Sequence, residues 1–211
     1  MVAMAIQIPK GEVVATADHR VVIHNVSWDQ YQAFQKARGE RSTPRMVYLD
    51  GALELMTTSR NHEQIKNILR ALLELYMLEH GIEFGSYGHY TMELPEPVDE
   101  AVAIEADECY LLGLDQSESR WPDLAIEVIW TSGGLDKLEA YRRLGVGEVW
   151  FWIGGEIEVH RLVHRRYEPR DLSDLVPGID LAELARYVDD EQILSKTIRA
   201  YGEALRGRRA P

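Results

Sequence analysis

The stretch "WPDLAIEVIW", Trp121 to Trp130, decides how this chain folds. It is a short apolar run bounded by loop residues, the pattern of a β-strand. Successive side chains on a strand point to opposite faces, so Asp123, Ala125, Glu127 and Ile129 share one side and Leu124, Ile126, Val128 and Trp130 the other. Both sides are largely apolar, which predicts a central strand covered by helices. Glu127 is then a carboxylate in the interior, where an unpaired charge costs several kcal/mol, roughly. Something must compensate it.

Two neighbouring segments offer the means. Upstream, "AVAIEADECYLL" reads as a strand with Glu105, Asp107, Cys109 and Leu111 on one face. If this strand lies beside the first, Asp107 and Glu127 converge, and two carboxylates forced together must share a proton or bind a cation. Mg²⁺ suits such a pair, since it takes oxygen ligands and is commonly held by one or two carboxylates. Downstream, "SGGLDKLEAYRRLGVG" reads as a helix opening near Ser132 and closing at Gly145. Lys137, Tyr141 and Leu144 share one side of it, and that side is predicted to face the sheet. A buried ion pair of Glu127 with Lys137 or Arg142 is the competing explanation, and the spacing leaves both open.

The outer elements complete an α/β pattern of a mixed sheet flanked by helices. "SWDQYQAFQKARG" predicts a short helix with Ser27 as N-cap and Gly39 as its stop. "RMVYLDGALELMT" predicts a hairpin turning at Asp50-Gly51. From Ser59 to His80, helical spacing of Ile65, Ile68, Leu69, Leu72 and Tyr76 predicts a long amphipathic helix ended by Gly81. "IEFGSYGHYTMEL" reads as a strand, and "EVWFWI" and "EIEVHRLV" form a hairpin across Gly154-Gly155. The tail from Asp189 predicts a terminal helix, and the first ~25 residues are weakly patterned. Glu54 alternates with Leu53 and Leu55 and is expected to face solvent. His62, three residues before Ile65, is expected to be a satisfied core residue. His160 and His164 read as surface residues.

Composition narrows the function. With 45% hydrophobic residues the chain can bury a core. Its one cysteine, Cys109, excludes an internal disulfide and a multi-cysteine metal site, and strand-like flanks make it a buried, inert thiol. No apolar run approaches the ~18 residues of a membrane span. The N-terminal pattern lacks a secretory signal, so the expected location is cytoplasmic. A net charge of −12 opposes an extended phosphate-binding track, despite local basic clusters at His160–Arg170 and near the C-terminus. No Walker loop, dinucleotide loop, zinc spacing or nucleophile elbow is present.

The succession "YLDGALELM", "SRNHEQIKNILRALL", "EADECYLL", "PDLAIEVIW", "LDKLEAYRRLGVGEVWFW" and "GGEIEVHRL" resembles the Uma-two family of bacterial restriction endonucleases, within the PD-(D/E)XK nuclease superfamily. The similarity runs from Met46 to Tyr187. It implies a restriction-endonuclease-like core: an N-terminal extension with a short helix over 1–45, a nuclease-like domain over 46–188 and a helical tail over 189–211. It further implies a Mg²⁺-dependent endonuclease cleaving DNA phosphodiester bonds, with Mn²⁺ able to substitute. Asp107 and Glu127 match the family's metal acids, assisted by the backbone of Val128. Lys137 matches its displaced catalytic lysine, Glu54 an acidic position near the site, and His62 an accessory position. Two departures stand out: Ala106 where the family carries proline, and "WTSGG" where it reads Ser-Pro-Ser. DNA binding is expected to be weak and salt-dependent, with a homodimer building the basic groove that one chain lacks. A non-catalytic protein retaining the scaffold, or a phosphoesterase acting on RNA or nucleotides, are the alternatives.

Overall fold

The computed structural model of the chain describes residues 17–95, 97, 100–113, 121–130 and 134–209. Local chemistry accounts for most elements. Helix α1 (Trp28–Arg38) opens on a capping box, in which the Ser27 side chain accepts from the Gln30 N–H and the Gln30 side chain returns to Ser27. Strands β2 (Arg45–Leu49) and β3 (Ala52–Thr57) turn at Asp50 and Gly51, both at positive φ as a tight hairpin requires. Helix α2 (Arg60–Glu79) is capped by Ser59 and buries all five residues of the predicted stripe. Each such side chain contributes about 1.5–3 kcal/mol on full burial.

Ahead of these lies β1 (His19–His24), an edge strand paired with β3 in a region that the sequence left unpatterned. Its six residues are half-buried or exposed, so no apolar alternation announces it. Both β1 and α1 pack on the same sheet as β2 and β3.

The two long strand-like stretches each divide. "IEFGSYGHYTMEL" becomes β4 (Phe84–Ser86) and β5 (Thr91–Leu94), and "AVAIEADECYLL" becomes β6 (Val102–Glu105) and β7 (Glu108–Leu112). β5 pairs with β6 in a five-stranded sheet of order β1-β3-β2-β6-β5. β4 pairs with β7 in a six-stranded sheet of order β11-β10-β9-β8-β7-β4. The slip is visible in the packing. Val102, Ile104 and Ala106 share a core with Cys109, so one extra residue enters the alternation at Ala106-Asp107, as in a β-bulge. The expected grouping of Glu105 with Asp107 and Cys109 on one face is therefore corrected: Glu105 turns to Arg38 and the Met46 N–H.

Strands β8 (Leu124–Ile129) and β9 (Glu148–Ile153) are parallel, joined by α3 (Lys137–Leu144), and make the six-stranded sheet mixed. β9 returns antiparallel through Gly154-Gly155 into β10 (Glu156–Val163), which turns at His164-Arg165 into β11 (Arg166–Arg170). Helix α3 begins at Lys137 under an Asp136 cap bonded to the Glu139 N–H, five residues after the start expected from sequence. The expected start, Ser132, lies outside the described residues, while Gly145 closes the helix in the left-handed conformation as predicted. Helices α4 (Leu181–Arg186) and α5 (Leu194–Arg209) follow.

The layers run as follows. α1 covers one face of the five-stranded sheet through Tyr31, Met46 and Tyr48. α3 lies between the two sheets, its Ala140, Tyr141 and Leu144 packed with Val47 and Ile104 from one and Ala125 and Phe151 from the other. α2, α4 and α5 cover the far face of the six-stranded sheet over Leu124, Ile126, Val128 and Trp150. The two faces of β8 are divided as its alternation predicts. Among the described residues no helix is long and apolar enough to cross a membrane.

Candidate active site

Register brings the two acids together. β7 and β8 pair Cys109 with Ala125 and Glu108 with Ile126, and one further step sets Asp107 opposite Glu127. Asp107 is 1% exposed and Glu127 0%. The Val128 N–H donates to Asp107 Oδ2 at 2.8 Å, so the backbone beside Glu127 holds Asp107 directly.

Asp107 has two further partners. Arg45 Nη1 donates to its Oδ1, and His62 Nε2 lies 3.1 Å from the same oxygen. His62 Nδ1 is 3.0 Å from Asp18 Oδ2, and Asp18 also accepts the Ser59 N–H at 2.7 Å. A chain of buried polar groups thus runs from Asp107 through His62 to the N-cap of α2. Burial alone would lower the His62 pKa, but Asp107 and Asp18 outweigh it and push it up to about 9. Burial would likewise raise the Asp107 pKa, but Arg45 and His62 hold it well below the usual carboxylate range.

Glu127 sits in a different balance. Lys137 Nζ donates to Oε2 at 2.5 Å, and the Tyr141 hydroxyl donates to Oε1. Burial, reinforced by the neighbouring Asp107, raises the Glu127 pKa in spite of Lys137. Negative charge therefore settles on Asp107, and Glu127 is the acid that takes up a proton first. Burial acts to neutralise Lys137, yet Glu127, Asp107 and Glu54 together keep its pKa above the ordinary value.

Glu54, expected to face solvent, is 1% exposed. Its pairing with Val47 turns it to the side where Val47 meets α3. It accepts the Leu135 N–H at 2.7 Å and pairs with Arg20 Nε at 2.9 Å. Gly134, at φ +108°, allows this approach, because a Cβ there falls inside the contact distance of Glu54 Oε2.

All six residues singled out from sequence lie in this region. Of the two partners considered for Glu127, Lys137 is the one used, while Arg142 pairs with Glu139. Sequence reasoning missed Arg45, Asp18 and Arg20, and it placed Tyr141 on the correct side without its bond to Glu127. Arg45 was within reach, since it alternates with Val47 and Leu49 and so shares their inward face.

The donor set of Asp107, Glu127 and Glu54 is all oxygen, which fits a hard divalent cation such as Mg²⁺. Each oxygen of Asp107 and Glu127 already has a protein partner, so taking up a cation means exchanging partners at those oxygens. Among the described residues, no three His, Cys, Asp or Glu side chains form a ready-made metal cluster. A cleft of about 330 Å³ reaches Lys137, walled by Arg20, Leu138, Phe151, Ile153 and His160. A larger cavity of 640 Å³ between β10, β11 and α4 contains none of the site residues.

A family model, Uma2, described as "Putative restriction endonuclease", matches residues 28–186. Among solved structures the chain is similar to a crystal structure described as a putative nuclease belonging to DUF820 from Anabaena variabilis ATCC 29413. The identity is 11%, with 84% of this chain and 99% of that chain covered, and the TM-score is 0.46. No curated protein matches.

Proposed function

The chain belongs to the Uma2 family and has its restriction-endonuclease-like α/β fold, and from that premise we propose that it is a Mg²⁺-dependent endonuclease hydrolysing DNA phosphodiester bonds. One observation carries the reading: Asp107, one residue before β7, is bonded to the backbone of β8 beside Glu127, and the Lys137 ammonium sits on Glu127.

In this proposal Asp107 and Glu127 would hold the ion, with the Val128 carbonyl as a backbone ligand, and Glu54 would either position that ion or bind a second one through water. Mn²⁺ substitutes for Mg²⁺. The ion, when bound, supplies Lewis acidity that polarises the scissile phosphate and lowers the pKa of a water. The chain's own residues do the rest. Arg45 and His62 keep Asp107 ionised, and Tyr141 fixes the Glu127 carboxylate. Lys137, released from Glu127, orients the attacking water and offsets charge developing on phosphorus. Its position in the wall of the 330 Å³ cleft gives substrate a route to it.

The test is nicking of supercoiled plasmid with and without Mg²⁺. Wild-type protein is expected to nick only with the ion, Glu127→Gln is expected to abolish nicking, and Lys137→Ala is expected to lower it by roughly 100- to 1,000-fold. Nicking unchanged in either variant refutes the assignment. The completeness of donors around Asp107 and Glu127 favours a second reading, a non-catalytic protein on the nuclease scaffold. Titration calorimetry with Mg²⁺ or Mn²⁺ separates the two: no heat, with thermal stability unmoved by the ion, selects the scaffold.

A further inference from the structure

Among the described residues, the exposed aromatics are Phe34, Tyr87 and Tyr90. Two of these three fall in one four-residue loop, "YGHY", where Tyr87 is 48% and Tyr90 41% exposed. Their rings touch, with centroids 6.1 Å apart and planes at 62°.

Pairing fixes where this loop lies. On its N-terminal side Ser86 is opposite Tyr110, and on its C-terminal side Thr91 is opposite Glu105. Residues 87–90 therefore run alongside residues 106–109, the segment that carries Asp107. The Tyr87 N–H donates to the Cys109 carbonyl at 3.0 Å, the Cys109 thiol donates to the Gly88 carbonyl at 3.3 Å, and the Tyr90 N–H donates to the Gly88 carbonyl at 3.1 Å. The loop backbone is thus bonded to Cys109, two residues along the chain from Asp107. Because β4 and β5 are the outermost strands of their sheets, the loop lies at an edge of both.

Charge is a poor source of affinity for this chain. A net charge of −12 repels a polyanion, and Arg45 and Arg38 are each committed to an internal carboxylate. Stacking of bases on aromatic rings needs no net positive charge, and it contributes on single strands whatever the sequence.

Resting on the nuclease reading above, we propose that Tyr87 and Tyr90 form a stacking platform for unpaired nucleobases of the substrate strand next to the cleaved phosphate. The ligand class is single-stranded or locally unpaired nucleic acid, because a base inside a duplex has no free face for a tyrosine.

The experiment uses the full chain in EDTA, so that binding is read without cleavage, and a fluorescein-labelled single-stranded oligodeoxynucleotide as probe. Fluorescence anisotropy gives the affinity across a salt series. Tyr87→Ala/Tyr90→Ala is expected to weaken binding roughly ten- to hundredfold. The loss is expected to be equal at every salt concentration, since stacking releases no counterions, whereas losing a phosphate contact changes the salt slope. Tyr87→Phe/Tyr90→Phe is expected to bind within about twofold of wild type, because the ring and not the hydroxyl carries the contact. An oligonucleotide of abasic sites is expected to bind wild type and alanine variant alike. Both side chains are exposed, so unchanged thermal melting confirms that the variants fold. The proposal is overturned if the alanine pair binds like wild type, if the phenylalanine pair loses as much as the alanine pair, or if wild type does not bind the oligonucleotide. A separate arm, cleavage of the same oligonucleotide with Mg²⁺, tests the nuclease reading. Cleavage with no effect of the tyrosines removes the platform alone, and tyrosine-dependent binding without cleavage removes the nuclease reading alone.

Discussion

Two glutamates on adjacent parallel strands are both 0% exposed, and they are handled in opposite ways. Glu148, which opens β9, accepts the Trp150 indole N–H at 2.6 Å, the Ser173 hydroxyl at 2.5 Å and the Asp174 N–H at 3.0 Å. Every donor is neutral and set by the fold, and the bonds tie the 173–176 loop to the sheet. Glu127, on β8, is bonded to an ammonium and a phenol, faces a second carboxylate, and has an open cleft behind its lysine. Burial alone therefore does not distinguish an anchored acid from one whose partners can be exchanged. The kind of donor does, since fixed neutral donors leave nothing to exchange, whereas a cation beside a rival acid can be repartnered.

The sharpest way to break this contrast is Lys137→Ala. It leaves Glu127 buried beside Asp107 without its cation, and it is expected to cost about 3–5 kcal/mol of stability. Nicking is expected to fall by roughly 100- to 1,000-fold. Urea denaturation and the plasmid assay read the two effects, and a milder loss than in Glu148→Gln would erase the distinction.

Next in size is pH. The His62 pKa rises on folding from 6.5 to about 9. Between these values the folded state keeps a proton that the unfolded state has released, so stability falls as pH rises. The stabilisation is complete below pH 6.5 and lost by about pH 9, amounting to about 3 kcal/mol for this fully buried group. A denaturation series over this window is expected to show the slope in wild type and in Glu148→Gln, and to flatten in His62→Gln. A flat wild-type profile would remove His62 from the charged network.

Gly134→Ala probes the same side of the contrast from the backbone. A Cβ at positive φ crowds Glu54 Oε2, and the expected cost is about 1–3 kcal/mol by chemical denaturation. Impaired nicking is expected alongside it, because the Glu54 bond to Leu135 orders the approach to Lys137. The smallest effect belongs to Glu148→Gln, about 1–2 kcal/mol with the nicking rate of the folded protein unchanged. A loss of activity there would show that Glu148 and Glu127 are coupled.

Sequence pattern disclosed some of this and concealed the rest for identifiable reasons. Both faces of β8 and the apolar stripe of α2 follow from simple periods, and the fold honours those periods. Lys137, Tyr141 and Leu144 face inward together because α3 meets the sheets along one side. The division of "AVAIEADECYLL" was hidden, since a one-residue slip at Ala106-Asp107 leaves composition and average alternation intact. Glu54 could not be oriented because its leucine neighbours, Leu53 and Leu55, are equally apolar. Only the pairing of Val47 with Glu54 decides the direction, and pairing partners are distant in sequence. β1 gave no signal because an edge strand with little burial needs no apolar face. Asp18 was invisible for a related reason, as its partners His62 and Ser59 lie on α2, far along the chain.

One consequence of the divided strand concerns mechanics. Pairing with the five-stranded sheet stops at Glu105 and pairing with the six-stranded sheet starts at Glu108, so Asp107 occupies the joint between two stiff plates. Glu127 belongs wholly to one plate, and α3 is the spacer wedged between both. The girth of Tyr141 and Leu144 therefore gauges the aperture at which the two carboxylates meet. Shaving Leu144 would alter that aperture without touching a carboxylate, whereas shaving Tyr141 would also remove a bond to Glu127.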